Sequence, residues 1–272
     1  MLRIIVPIKQ VPETSNVKMD PETGTMIRLG LEAIINPLDL YALETALRLK
    51  QTHQAHIIVI SMGPLNAEDA LREALALGCD EAVLLSHRAF RGADTWATSY
   101  TLSQAIKKTG HFDLIICGER ATDGETGQVG PGIAAFLDLP LVTYVRKISE
   151  ITPAFACVER LVEGGIEVVR SEMPLAITVV KEIANPRLPT LRGMKAAKVI
   201  KIPIWGPEEI EANPDYVGLN GSPTRVVKIQ SPQVTRNGTL VSAKSKEEMD
   251  QAADKLISYL RENNLLNWMK AK

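Results

Sequence analysis

The 272-residue chain has little that is aromatic (4%), only three cysteines and only four histidines. Cys79, Cys117 and Cys157 are odd in number and widely spaced, which argues against a disulfide framework and fits a reducing cytoplasm. His53, His56, His87 and His111 are scattered without metal-ligand spacing. Charge of one sign is lacking too. The 31 Lys and Arg against 32 Asp and Glu leave a net charge of −1, so no global field draws the chain to nucleic acid or to an anionic membrane. No apolar run reaches the length of a membrane span. The opening "MLRIIVPIKQVP" lacks the small-residue cleavage site of a signal peptide and reads as a first strand. A Gly-x-Ser-x-Gly elbow, a Cys/His pairing and a P-loop lysine are all missing. Side chains alone therefore supply no redox chemistry, and a redox role requires a bound cofactor.

What is present is an alternation of strands and helices. Short apolar runs at 3–9, 56–63, 81–86, 113–118 and 141–148 read as strands, and helical spacing is found at 39–50, 66–78, 94–110 and 126–138. Asn36-Pro37 precedes the first helix, and Asp39 is placed to cap it. Asp94 or Thr95 caps the third helix. Crossovers of this kind predict an α/β fold, a doubly wound, mostly parallel sheet covered on both faces. Beyond residue 150 the pattern becomes strands joined by a Gly164-Gly165 turn. Residues 184–198 read as an exposed loop entering a short helix, and 203–245 as a long polar connection. Residues 245–263 form a strongly amphipathic helix, with Ser245 and Glu248 spaced for a capping box.

In doubly wound sheets ligands sit beyond the carboxyl ends of the strands, at a topological switch point. The stretch "CGERATDGETGQVGPGIAAFL" (117–137) fits a phosphate cradle there. Gly118, Gly124, Gly127 and Gly130 permit close backbone approach, Thr126 and Gln128 add neutral donors, and the amides of Gln128, Val129 and Gly130 point out of a helix N-terminus. With no catalytic lysine, binding is favoured over phosphoryl transfer. The same stretch also reads as an ordinary strand-to-helix turn. Glu119, Asp123 and Glu125 are either acid–base groups or solvated acids. Pro7, Lys9, Asn36 to Asp39, Met62-Gly63-Pro64 and residues 88–99 converge on that edge, and a Met and a Pro there can sandwich an adenine ring. Arg187, Arg192, Lys195 and Lys198 read either as a dock for an acidic partner or as a solvated turn.

The runs "IKQVPETSNVKMDPETGTMIR", "INPLDLYALETALRLK", "VISMGP", "LREALALGCDEAVLLS", "GERATDGETGQVGPGIAAFLDLP" and "PRLPTLRGMKAAK", in this order, resemble the β subunit of electron-transfer flavoproteins along essentially the whole chain. The resemblance implies an adenine-nucleotide-binding, HUP-like α/β domain over 1–200, with a recognition loop at 185–198. It also implies a C-terminal arm and amphipathic helix over 201–272 packing on an α subunit that carries FAD. Leu191 matches the apolar anchor that docks a dehydrogenase such as acyl-CoA dehydrogenase. The marks "VPETSNVKMDPETGTMIR" and "SHRAFRGADTWATS", and a short 118–128 loop, resemble the electron-bifurcating branch. There the site holds FAD that takes hydride from NADH and sends electrons to the α-subunit FAD and to ferredoxin or flavodoxin. The other branch holds structural AMP. By this resemblance Pro7, Asn36, Pro37, Leu38, Asp39, Met62, Gly118, Glu119, Arg120, Ala121, Thr122, Asp123, Thr126, Gln128, Val129 and Gly130 surround the nucleotide. Asp94, Thr95 and Thr98 lie toward the flavin ring or ribityl chain. Arg120 is either a stabiliser of reduced flavin or a structural ion-pair partner.

Overall fold

The computed structural model describes residues 1–13, 33–227, 238, 241 and 243–265. In chain order its elements are β1 (Arg3–Ile8), β2 (Gln10–Pro12), β3 (Ala33–Ile35), α1 (Pro37–His53), β4 (His56–Met62), α2 (Glu68–Leu77), β5 (Glu81–Leu85), α3 (Thr95–Lys108), β6 (Leu114–Gly118), α4 (Val129–Phe136), β7 (Leu141–Ile151), β8 (Phe155–Val162), β9 (Gly165–Glu172), β10 (Leu175–Val179), α5 (Leu191–Ala197), β11 (Ile204–Trp205), α6 (Gly218–Gly221) and α7 (Lys246–Glu262). They fall into two units, Met1–Lys228 and Ile229–Lys272.

β1, β4, β6 and β10 are apolar nearly throughout and buried nearly throughout, as strands covered on both faces must be. They form the middle of a nine-stranded sheet of order β11-β5-β4-β1-β6-β10-β7-β8-β9. All neighbours from β11 to β7 are parallel, and β7, β8 and β9 form an antiparallel meander. Alternate residues along each strand serve opposite faces. Ile4, Val6, Ile57 and Val59 pack with Leu43 and Leu47 of α1 and Leu71 and Leu75 of α2. Ile5, Ile58, Ile60 and Ile115 pack with Leu102 and Ile106 of α3 and Ile133 of α4.

The change of face between α2 and α3 follows from the strand order. The chain winds outward from β1 through β4 to β5, then crosses back to lay β6 on the other side of β1. Right-handed crossovers running in opposite directions place their helices on opposite faces. The carboxyl ends of β1 and β6 therefore diverge into loops of opposite sense, which opens a crevice between them.

Three boundaries differ from the sequence reading. α1 begins at Pro37 with Asn36 in the capping position, because a proline is favoured in the first turn, where its missing N–H costs nothing. Asp39 accordingly lies inside the first turn and does not cap the helix. α4 begins at Val129, because Glu125 (φ 52°) and Gly127 (φ 62°) hold the preceding chain out of helical geometry. β7 continues to Ile151 because β8 supplies a partner for its second half. In the second unit, α7 starts with the expected capping box. Ser245 Oγ accepts from Glu248 N at 3.2 Å, and the Glu248 carboxylate accepts from Ser245 N at 3.3 Å. Among the described residues no helix is long and apolar enough to cross a membrane.

Candidate functional site

Asn36 is fully buried at the β1/β6 crevice. Its Nδ2 donates to the Arg120 carbonyl at 2.9 Å, and its Oδ1 accepts from Thr122 N at 3.1 Å. Its own N–H donates to the Lys9 carbonyl at 2.8 Å. One amide thus fastens the loop after β6 to the end of β1, and all its polar groups are used inside the protein. Asp39 completes the floor, with its carboxylate accepting from Lys9 N at 2.8 Å. Burial pushes its pKa up to about 7. Hydrogen bonds from Lys9 and Asn36 and the Lys9 charge oppose that rise, and the charge of Asp123 adds to it. Over the crevice, Lys9 Nζ pairs with Asp123 Oδ1 at 2.7 Å.

The glycines serve this architecture differently from the expectation. A Cβ on Gly118 would run into the Asp39 carboxylate and the Leu38 backbone, so this glycine lets β6 approach the start of α1. A Cβ on Gly130 would meet the Thr178 methyl at 2.8 Å and the Cys117 side chain at 3.3 Å. Both close approaches are to protein. Gly124, by contrast, faces open space.

α4 starts above the ends of β6 and β10 with no side-chain cap on its first turn. Gln128 turns its Oε1 to the Thr95 hydroxyl instead, at 2.9 Å. That contact ties the start of α3 to the start of α4, and the close approach of Gly132 to Ser99 packs the two helices together. An uncapped first turn presents amide donors and the positive end of the helix dipole to whatever lies beyond it. This suits a phosphate or pyrophosphate, and the donor set fits the anionic portion of an adenine nucleotide.

The remaining expected residues divide by location. Glu119 and Arg120 pair with each other at 2.6 Å, so the Arg120 guanidinium is matched within its own loop. Ala121 is half-buried, while Thr126 and Gln128 are exposed. Pro37 is exposed and Leu38 half-buried at the start of α1. Pro7 is buried within β1, and Met62 ends β4, the next strand out from the crevice. Thr98 is half-buried in the first turn of α3. Asp94 caps α3 through Ala97 N at 3.0 Å and also accepts from Thr224 N at 3.0 Å and Thr224 Oγ1 at 2.7 Å. Burial would raise its pKa, but these bonds outweigh burial and hold the carboxyl below its ordinary value. Its partners Thr224 and Ser222 carry no local sequence signal, since they lie 130 and 128 residues along the chain. The mark "VPETSNVKMDPETGTMIR" falls mostly outside the described residues.

Elsewhere, burial pushes the thiols of Cys79 and Cys117 up to about 12, which leaves them protonated and inert. Among the described residues no cluster of His, Cys, Asp and Glu could hold a metal ion. A cavity of about 630 Å³ lies between His87–Arg91 and the 206–220 segment, and none of the expected nucleotide residues lines it. The candidate site is a rim on which Thr122, Asp123, Thr126 and Gln128 are exposed.

The 185–198 loop is held from below. Arg187 binds the buried Glu44 carboxylate of α1 through Nε at 2.7 Å and Nη2 at 3.0 Å. Burial alone would raise the Glu44 pKa, but the hydrogen bonds from Arg187 and Arg48 hold it below the usual range. Arg72 donates to the carbonyls of Ala197 and Ile200 at 2.7 and 3.0 Å. Above these anchors Leu188 and Leu191 are 86% and 87% exposed, an apolar pair displayed on a fixed base.

Comparison with known proteins bears on this geometry. The family described as "Electron transfer flavoprotein domain" matches residues 23–205. The chain is 45% identical over 258 residues to the electron transfer flavoprotein subunit beta of Thermoanaerobacterium thermosaccharolyticum, covering 94% of this chain and 98% of that one. It is 46% identical over 266 residues to the caffeyl-CoA reductase-Etf complex subunit CarD of Acetobacterium woodii, covering 97% and 100%. To protein FixA of Sinorhizobium fredii it is 40% identical over 267 residues, covering 94% and 93%.

Proposed function

The chain belongs to the electron transfer flavoprotein family, and on that premise we infer that it is the β subunit of an electron-bifurcating member, paired with an α subunit. The reading has the β1/β6 rim hold FAD. FAD bound there would supply the chemistry of accepting hydride from NADH and dividing the electrons between the α-subunit FAD, serving a dehydrogenase such as an acyl-CoA dehydrogenase, and ferredoxin or flavodoxin. The chain's own residues bind and orient. The uncapped first turn of α4 takes the pyrophosphate, Asn36 fixes the loop that surrounds it, Asp39 fixes the end of β1, and the Thr95–Gln128 contact keeps α3 and α4 in register beside it. Leu191 and Leu188 present the dehydrogenase with an apolar anchor.

The observation that carries the nucleotide reading is the uncapped α4 N-terminus at the sheet's topological switch point. The similarity to a subunit of a caffeyl-CoA reductase-Etf complex supports the bifurcating branch over the other. A subunit holding structural AMP uses the same rim and is the second reading. The cofactor content of the purified αβ heterodimer separates the two. Two FAD per heterodimer, both reduced on adding NADH, is the expected result; one flavin and one AMP would overturn bifurcation and leave the subunit assignment standing.

A further inference from the structure

Lys9 has the placement of a phosphate ligand, although no glycine-rich lysine motif announces it. Its backbone is clamped on both sides, N–H to Asp39 and carbonyl to Asn36, each at 2.8 Å. Only the side chain is free to move, and it reaches over the crevice to Asp123 across 114 residues of sequence. Asp123 belongs to the tight 121–125 turn, closed by Glu125 N donating to the Ala121 carbonyl at 2.8 Å. The same loop runs on to the uncapped start of α4. Lys9 therefore links the end of β1 to the loop that leads from β6 into α4.

The ion pair is half-open to water, with the Lys9 side chain 48% exposed. A pair of this kind contributes little net stability and exchanges at low cost. Its charges matter more to a ligand than to the fold. Asp123 stands at the mouth of the crevice and Asp39 in its floor, and Asp39 responds to the charges of both Lys9 and Asp123. A phosphate entering here meets carboxylates unless a cation turns toward it.

Building on the nucleotide reading above, we propose that Lys9 is the phosphate-facing cation of this site and that Asp123 is its resident counter-ion. Binding exchanges carboxylate for phosphate at Nζ. Asp123 is then a competitor of the ligand, and this makes the proposal separable from a structural salt bridge. Removing either partner of a structural bridge weakens the loop and hence binding. Removing a competitor strengthens binding.

The test is calorimetric titration of the nucleotide-stripped αβ heterodimer with FAD, AMP and adenosine, at two salt concentrations. Lys9→Gln is expected to weaken FAD and AMP about tenfold, the factor that one lost charged contact of ordinary strength carries. It should flatten their salt dependence and leave adenosine unchanged. Asp123→Asn is expected to tighten FAD and AMP several-fold. Lys9→Arg should retain most of the affinity, and circular dichroism and thermal midpoints verify that each variant is folded. The proposal is overturned if Asp123→Asn binds no more tightly than the parent, if Lys9→Gln binds as well as the parent, or if Lys9→Gln weakens adenosine equally. If the parent heterodimer binds neither FAD nor AMP, the nucleotide reading itself fails and takes this proposal with it.

Discussion

At the scale of single residues, the crevice is held by side chains whose roles the sequence displayed only by position. Asn36 and Asp39 stood out because they precede and open a helix behind a strand end, a place where polar residues meet ligands. The structure uses them inward, on Arg120, Thr122 and Lys9, because a buried amide or carboxylate must find partners. Asp39 carries a measurable consequence. Unfolded, its carboxyl releases its proton near 3.8; folded, burial delays release to about 7. Between those values the native state binds the extra proton, so this contribution to stability is whole at the acid end, drains as pH rises, and is gone by about 7. Asp39→Asn keeps an oxygen to accept from Lys9 N and has no proton to lose. In thermal melts of the heterodimer, the midpoint of the variant should gain on the parent from about pH 4 to 7 and run parallel above. A difference that stays constant across that range would contradict the assignment.

At the scale of elements, most of the α/β framework was legible. Buried parallel strands must be apolar on both faces, and "RIIVPI", "HIIVISM" and "LIICG" say so without reference to any neighbour. What was not legible depends on distant partners. β7 is longer than its apolar core because β8 pairs with it. β10 inserts between β6 and β7, an order that no local pattern encodes. The 185–198 loop shows both kinds of information. Its exposure and short helix follow from two prolines and a run of cations, whereas its anchor, Arg187 on Glu44, spans 143 residues. These layers separate under mutation. Arg187→Ala leaves the buried Glu44 carboxylate with Arg48 as its remaining charged partner and should cost about 2 kcal/mol in a chemical denaturation curve. Leu191→Ala removes a side chain that touches almost nothing in this chain, so stability should change by less than about 0.5 kcal/mol. If Leu191 is a docking anchor, electron delivery to the cognate dehydrogenase should nevertheless fall about tenfold or more in kcat/KM. An unchanged rate would remove Leu191 from the docking surface.

At the scale of the whole molecule, the sequence pointed to the turn between β6 and α4 as a candidate site but could not assemble it. Glycines, a helix start and two strand ends were visible along the chain. Their meeting at one crevice follows from the winding reversal between β5 and β6, which only the strand order reveals. The second unit has the opposite character, because its signal is entirely local. α7 carries a complete capping box, and Met249, Leu256, Ile257 and Tyr259 are exposed at 55%, 58%, 41% and 59%. A helix that is capped yet leaves its apolar side chains in water is poorly supported by its own burial, since most helical stability comes from a packed apolar face. The α subunit is the partner that the family supplies, and charge on the apolar side tests whether α7 meets it. Met249→Glu combined with Leu256→Glu keeps good helix formers and adds no clash within this chain. The doubly substituted chain should retain its far-ultraviolet spectrum. Its heterodimer should dissociate at protein concentrations where the parent complex stays whole in sedimentation, because two buried apolar contacts become two buried charges. Should both complexes sediment alike over the dilution series, α7 is not part of the subunit interface, and its apolar residues face something other than the α subunit.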